Sequence, residues 1–221
     1  MSLLFENINF LLRQKGASPL SAEAFFKLDP EVFWDLLSQL DAPYELIAKT
    51  DLQQRDEAIR AKRIELLVLD VDGVLTDGGL YYSSEGEEIK KFNVKDGMAI
   101  TEALRLGLKV GIISAASRSE VVEHRARLLG IEHCYVGKRP KEEVLEEWLY
   151  TFGLSFDQVA YIGDDINDCG ILAKCGLGAA PADAVQQARE AAALRLRAKG
   201  GEGCVRELWD VYLRRHYQAE H

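Results

Sequence analysis

The chain has 221 residues, enough for one core of ordinary size with a small appendage and too few for two large domains. At 48% hydrophobic and 29% charged, it is neither disordered nor collagen-like nor of low complexity. A net charge of −9 argues against broad binding to nucleic acid or anionic membranes, so neither is expected as a partner.

Residues 1–63 hold a single glycine, Gly16, and their apolar spacing is helical. LLFENINFLL reads as one helix and PEVFWDLLSQL as another, with Asp29 and Pro30 supplying a cap and first turn. PYELIAK and DLQQRDEAIRAKRI read as further helical pieces. The opening MSLLFENINFLLRQKG has neither a basic leader nor an unbroken apolar span, and no later run reaches the roughly 18 residues of a membrane helix. A cytoplasmic location is therefore expected. Residues 1–63 are read as a helical appendage that packs on its own core or mediates assembly, and residues 64–221 as a separate domain.

The period changes after residue 63. IELLVLD at 64–70 is a compact apolar run ending in an acid, the pattern of a buried strand. Residues 78–94 suggest two short strands around SSEGEE, a β-hairpin flap over the site with Gly86 easing its turn. KDGMAITEALRLG, SRSEVVEHRARLLG and PKEEVLEEWLYTFG read as helices alternating with the strands KVGIIS, HCYVG and QVAYI. GLGAAP suggests a last short strand before a helix over DAVQQAREAAALRL. This alternation predicts an α/β fold, a Rossmann-like three-layer sandwich with a largely parallel sheet. Cysteines 134, 169, 175 and 204 show neither CxxC nor zinc-finger spacing and are expected as reduced thiols.

In such sheets the site lies beyond the C-terminal ends of the strands, where Asp70, Ser114, the 137–141 loop and Asp164 all fall. In DVDGVLTDG, one carboxylate of the pair Asp70 and Asp72 can attack phosphorus while its neighbour protonates the departing alkoxide. Gly73 lets the backbone turn close to the transferred group. In GDDINDCG, the carboxylates of Asp164, Asp165 and Asp168 suit a hard divalent cation, with Mg²⁺ favoured because phosphate and water oxygens complete its shell. Ser114 offers a hydroxyl and Lys141 an ammonium group to phosphate, although Lys138 and Arg139 compete on spacing alone.

The order DVDGV, strand-end Ser, downstream Lys and GDDxxD resembles the haloacid dehalogenase-like phosphatase superfamily over residues 64–180. LYYSSEGEEIKKFNVKDGMAI, HCYVGKRPK and VAYIGDDINDCGIL are more narrowly similar to phosphatases acting on 3-deoxy-D-manno-octulosonate 8-phosphate and related 2-keto sugar-acid phosphates. The resemblance implies an Mg²⁺-dependent phosphomonoesterase with Asp70 as nucleophile and Asp72 as general acid/base. It implies Asp70, the Asp72 main-chain carbonyl and Asp164 as metal ligands, with Asp165 and Asp168 supporting that shell and Ser114 and Lys141 contacting phosphate. Asn93, Lys95 and Asp96 fit a substrate edge, and Gly200, Gly201 and Arg206 a tail reaching a neighbouring site. The implied partners are a phosphorylated sugar acid and further copies of the chain, a homotetramer in which the hairpin helps an adjacent subunit close the site.

Three departures accompany the resemblance. SAASRS stands where a TGR-like stretch is common, GGEG replaces GGRG and places Glu202 at an expected basic contact, and the N-terminal segment is extra. They keep open a 2-keto-3-deoxynononate 9-phosphate or N-acylneuraminate 9-phosphate substrate, and, more distantly, a non-enzymatic oligomerisation or regulatory module.

Overall fold

The computed structural model describes residues 2–40, 44–116 and 118–218. They fall into two compact units, Met1–Ala61 and Lys62–His221.

The first unit is helical: α1 (Leu3–Gln14), α2 (Ala22–Phe26), α3 (Pro30–Leu40), α4 (Tyr44–Lys49) and α5 (Leu52–Ala61). Its core gathers Ile8 and Leu12 of α1 with Leu37, Leu40, Ile47 and Leu52. Asp29 caps α3 as expected, its Oδ1 accepting from the Glu31 amide at 2.9 Å. Pro43 of PYELIAK lies outside the described residues. Two buried asparagines on α1 organise the connections. Asn7 Nδ2 donates to the carbonyls of Ile47 and Thr50, both at 2.6 Å, while its Oδ1 accepts from Leu52 N at 3.0 Å. Asn9 closes a similar pair of bonds on Leu20, at 2.7 and 3.0 Å. Such pairing offsets the cost of burying an amide. Helix α2 stands where no helix was expected, opened by Ser21, which accepts from Ala24 N at 3.1 Å.

The second unit contains a six-stranded sheet in which every pairing is parallel. Its strands are β1 (Leu66–Leu69), β4 (Lys109–Ser114), β5 (His133–Val136), β6 (Val159–Ile162), β7 (Leu177–Ala180) and β8 (Leu194–Arg195), in the spatial order β5-β4-β1-β6-β7-β8. The chain winds outward from β1 through α6 (Val94–Arg105) and α7 (Glu120–Leu129) to β5. It then returns through α8 (Lys141–Phe152) to β6 on the other side of β1, and runs on through α9 (Cys169–Lys174) and α10 (Gln186–Ala191) to the far edge. Right-handed crossovers put α6 and α7 on one face and α8, α9 and α10 on the other, which is the expected three-layer sandwich. Every residue of β1, β6 and β7 is buried, which is why these strands read as continuous apolar runs and not as alternating ones.

In the second unit one expected helix is shorter than its sequence suggests. The helix expected through residue 196 stops at Ala191, and Leu194–Arg195 pairs with β7 as an added edge strand. Leu194 and Leu196 are buried there, and Leu196 N donates to Ala180 O at 2.8 Å. Burial on the sheet edge thus overrides the helical propensity of the Ala-rich run. The expected hairpin forms from β2 (Tyr81–Tyr82) and β3 (Glu88–Ile89), antiparallel with Tyr81 opposite Ile89 and Tyr82 opposite Glu88. The chain ends with α11 (Cys204–Leu208), a π-helical turn (Trp209–Leu213) and α12 (Arg215–Gln218). All four cysteines are free thiols.

Candidate active site

The register explains the convergence of the acidic motifs. Leu69 pairs with Ile112 of β4 and Ile162 of β6, so the three strands end close together, with Ser114 as the last residue of β4 and Asp70 and Asp164 just beyond β1 and β6. The Asp70 amide donates to Ile162 O at 3.1 Å, locking the first acid to the strand that delivers the second motif.

Lys141, the first residue of α8, is buried and bridges two carboxylates: its Nζ lies 3.0 Å from Asp70 Oδ2 and 2.7 Å from Asp168 Oδ1. Its competitors point elsewhere, since Lys138 is exposed and Arg139 pairs with Glu147 at 2.5 Å. Ligand oxygens of Asp70, Asp164 and Asp168 all lie within 4.8 Å of one another. Asp168, however, is fully committed. Its Oδ1 accepts from Tyr161 OH at 2.6 Å as well as from Lys141, and its Oδ2 accepts from the amides of Asp164 and Asp165 at 3.0 and 3.2 Å. Asp164 Oδ1, in contrast, is buried without a hydrogen-bond partner among the described residues. A buried carboxylate oxygen without a donor, in a residue grouped with two other carboxylates, fits a cation position. Asp70 and Asp164 therefore suit direct ligation, with Asp168 holding them in place. Asp165 is exposed and accepts from Ile166 N at 2.7 Å as a helix cap.

The electrostatics agree. Burial pushes the Asp70 carboxyl up to about 7, with Lys141 opposing and Asp168 adding to the rise. Burial also pushes Asp164 up to about 7, helped by the charges of Asp70 and Asp168. For Lys141, burial works against the charge, but Asp70 and Asp168 outweigh it and hold the ammonium above its ordinary range. Gly73 adopts φ +84°, and a Cβ there would meet Asp164 Oδ2 at 2.0 Å, so glycine lets this turn pass the Asp164 carboxylate.

Ser114 is buried and its Oγ accepts from Ala116 N at 3.1 Å, which fixes the hydroxyl oxygen at the strand end. Ser117 of SAASRS lies outside the described residues, and Arg118 is exposed.

Asp72 is held from two sides. Lys90, just past β3, places its Nζ 2.6 Å from Asp72 Oδ1 and 2.8 Å from Glu88 Oε1, and the side chains of both Lys90 and Glu88 are buried. Thr76 Oγ1 lies 3.4 Å from the same Asp72 oxygen and shares its one proton between it and Val71 O, at 3.3 Å. Sequence reasoning passed over Lys90, Thr76 and Tyr161. For Lys90 a signal existed: in a hairpin strand of period two, Glu88 and Lys90 share one face, and here that face is the inner one.

The substrate-edge candidates have these places in the scaffold. Asp96 is buried and accepts from the amides of Arg206 at 2.8 Å and Gly203 at 3.2 Å, so it caps α11 from α6. Asn93 caps α6 and donates to Gly201 O at 3.0 Å. Arg206 pairs with Asp210 at 2.6 Å on the surface of α11, and Lys95 is exposed. Gly200 and Gly201 do not reach away from this unit. A Cβ at Gly200 would meet Gly73 O at 2.0 Å, and Gly201 N donates to Val74 O at 2.9 Å. The glycine pair is flattened against the DVDGVLTDG loop of its own chain.

A family described as haloacid dehalogenase-like hydrolase matches residues 90–176. The chain is 44% identical over 154 residues to the 3-deoxy-D-manno-octulosonate 8-phosphate phosphatase of Yersinia pestis, covering 70% of this chain and 82% of that protein. The crystal structure of the Yersinia pestis phosphatase superposes with a TM-score of 0.69 at 42% identity, over 75% of this chain and 88% of that one. The Moraxella catarrhalis phosphatase, solved with a magnesium ion, a phosphate ion and a KDO molecule, gives 0.70 at 32% identity, over 76% and 97%. With its strand-end carboxylates, buried lysine and parallel sheet, this chain belongs to the 3-deoxy-D-manno-octulosonate 8-phosphate phosphatase family of haloacid dehalogenase-like hydrolases.

Proposed function

We propose that the second unit hydrolyses the phosphomonoester of a 2-keto sugar acid, 3-deoxy-D-manno-octulosonate 8-phosphate before others, with Mg²⁺ as cofactor and an aspartyl-phosphate intermediate. The observation that carries this reading is Lys141 spanning Asp70 and Asp168 beside the unpartnered oxygen of Asp164. That arrangement keeps a carboxylate nucleophile buried and ionisable while leaving a cation position next to it.

An Asp70 carboxylate oxygen attacks phosphorus and the bond to the sugar oxygen breaks. Asp72 gives that departing oxygen its proton, so the sugar leaves as an alcohol. Lys141 and the Ser114 hydroxyl hold phosphoryl oxygens during transfer. Asp72, now ionised, takes a proton from water as the water oxygen attacks phosphorus, which releases phosphate and restores Asp70. Asp70, Asp164 and the Asp72 carbonyl would hold the Mg²⁺, whose chemistry is to neutralise charge on the phosphoryl oxygens. Asp168 keeps Lys141 and the Asp164 backbone in register throughout.

The outer face of the hairpin supports a homo-oligomer, with a tetramer as the assembly. Tyr81 and Ile89 pair there, 50% and 58% exposed, with Leu80, Val94 and Met98 also exposed nearby. An apolar face of that kind is a contact in search of a second copy. No helix among the described residues is long and apolar enough to cross a membrane. Four free thiols fit the reducing cytoplasm.

The test is phosphate release by the purified chain with Mg²⁺ across a panel of eight- and nine-carbon 2-keto sugar-acid phosphates and neutral sugar phosphates. The eight-carbon acid should give the highest kcat/KM, and EDTA should abolish turnover. Preference for a nine-carbon acid would move the assignment to that substrate, and absence of turnover on the whole panel would overturn it.

A further inference from the structure

Asp70 and Asp72 each touch a buried lysine, and the mechanism has used only one of the two. Lys90 carries a side chain 1% exposed, although it belongs to a hairpin whose other face is open to solvent. Burying an ammonium group is costly, so its place has to be justified by its partners. Those partners are Asp72 and Glu88, at 2.6 and 2.8 Å. Glu88 is itself buried and grips the ammonium from the hairpin side, so the position of Lys90 does not depend on Asp72 alone.

The contacts to Asp72 are lopsided. Lys90 donates to Oδ1, which the Thr76 hydroxyl also approaches while shared with Val71 O, and among the described residues no side chain donates to Oδ2. A carboxyl pinned through one oxygen presents the other. Resting on the assignment of Asp72 as general acid, we propose that Lys90 is a positioning residue for proton transfer: it clamps Asp72 through Oδ1 so that Oδ2 faces the leaving oxygen, and it ties the hairpin to the reaction. Lys90 itself touches neither phosphorus nor the leaving group. Its neighbour Lys91 forms an outer rung from the hairpin to the same loop, on Asp77 at 2.8 Å, but in solvent.

A clamp on the general acid has a consequence that a merely structural lysine lacks. An alkyl leaving group needs a proton as it departs, whereas p-nitrophenolate leaves without one. Because kcat/KM reports the steps up to formation of the aspartyl phosphate, comparing the two esters isolates the proton donation. Lys90→Met should lower kcat/KM for the sugar-acid phosphate about 10-fold or more further than for p-nitrophenyl phosphate. The loss on the sugar-acid phosphate should sit in kcat, with KM moving little, and Lys90→Arg should restore part of the ratio. Glu88→Gln combined with Lys90→Met removes both buried charges together and gives the same readout if the single variant folds poorly. Asp72→Asn is the control for the underlying reading. If Asp72→Asn leaves the ester ratio unchanged, Asp72 is not the acid. If Asp72→Asn shifts the ratio while the Lys90 variants lower both esters equally, the acid stands and the clamp is overturned.

Discussion

Asp70 and Asp72, the proposed nucleophile and acid/base, sit two residues apart on one loop, yet they are supported by different parts of the fold. Asp70 belongs to the sheet: its amide is bonded to β6, and its lysine opens a helix packed on the sheet and is shared with the fully buried Asp168. Asp72 is one-third exposed, and its lysine comes from a hairpin whose two-residue strands pair only with each other. The first cluster is over-determined by packing, and the second depends on a small peripheral element that opens at lower cost. The difference suits the chemistry. In-line attack needs an immobile nucleophile, whereas the acid has to follow the leaving group of whichever sugar is bound.

The largest expected effect comes from breaking the rigid side. Asp70→Asn removes the attacking carboxylate while keeping its shape, and phosphate release should fall about 10³-fold or more if catalysis is covalent. Steady-state turnover and circular dichroism on the same sample check this. A folded variant with near-normal turnover would contradict the nucleophile assignment.

The sequence disclosed the rigid side far better than the adaptable one. DVDG, Ser114 and GDDIND stand at the ends of strands that are buried almost throughout, so strand ends and candidate site residues are marked by the same change in pattern, whereas Lys141 follows the half-buried edge strand β5. The hairpin carries a weaker code. Its inner face holds Glu88 and Lys90 while Ile89 faces outward, the reverse of the usual alternation, and only the partner Asp72 explains it. The partners of Asp96 were hidden for a related reason. An acid at a helix start looks the same in sequence whether it meets substrate or caps a second helix more than 100 residues away, as it does here. The edge strand β8 was hidden by an Ala-rich run that is helical by propensity and extended by burial.

Removing the lysine on each side sharpens the contrast. Lys141→Met leaves Asp70, Asp164 and Asp168 facing one another with no cation, and without added metal should cost about 3–5 kcal/mol of stability. Mg²⁺ replaces the missing charge, so it should raise the Tm of this variant by more than that of wild type. Lys90→Met should gain no such extra increment, because its carboxylates lie outside the acidic trio. Thermal melts with EDTA and with Mg²⁺ measure all three proteins. Equal Mg²⁺ increments for the two variants would mean that Lys141 does not neutralise the metal-binding acids.

A smaller effect follows from protons competing at the same trio. Burial first, then neighbouring charge, raises Asp70 and Asp164 from 3.8 to about 7 in the metal-free fold. The folded state therefore binds more protons than the unfolded chain between these values. The stability these groups contribute is complete below about 3.8 and is lost as pH rises through about 7. Mg²⁺ must displace those protons, so its affinity should climb about 10-fold or more from pH 6 to 8 and then level. Calorimetric titration of the metal alone reads it. A flat profile across that range would separate the site from Asp70 and Asp164.

The smallest effect concerns the tail beside the loop. Glu202 is exposed, but the flattened glycines before it carry it to the catalytic loop, where its charge adds to the pull of Asp77 that keeps Lys91 above its ordinary range. The acidic residue thus has a basic neighbour already paired, and its cost to an anionic substrate is partly offset. Glu202→Arg reverses that balance. The rung between Lys91 and Asp77 is solvent-exposed and contributes little to stability, so the Tm should stay within about a degree or two. Discrimination should move instead: kcat/KM for an acidic 2-keto sugar phosphate should rise relative to a neutral sugar phosphate by about fivefold or less, and salt should erase most of the gain. A ratio unchanged even at low salt would show that this end of the site does not read the substrate's carboxylate. Proton transfer at Asp72 and attack by Asp70 would be untouched by that result, since neither contacts Glu202.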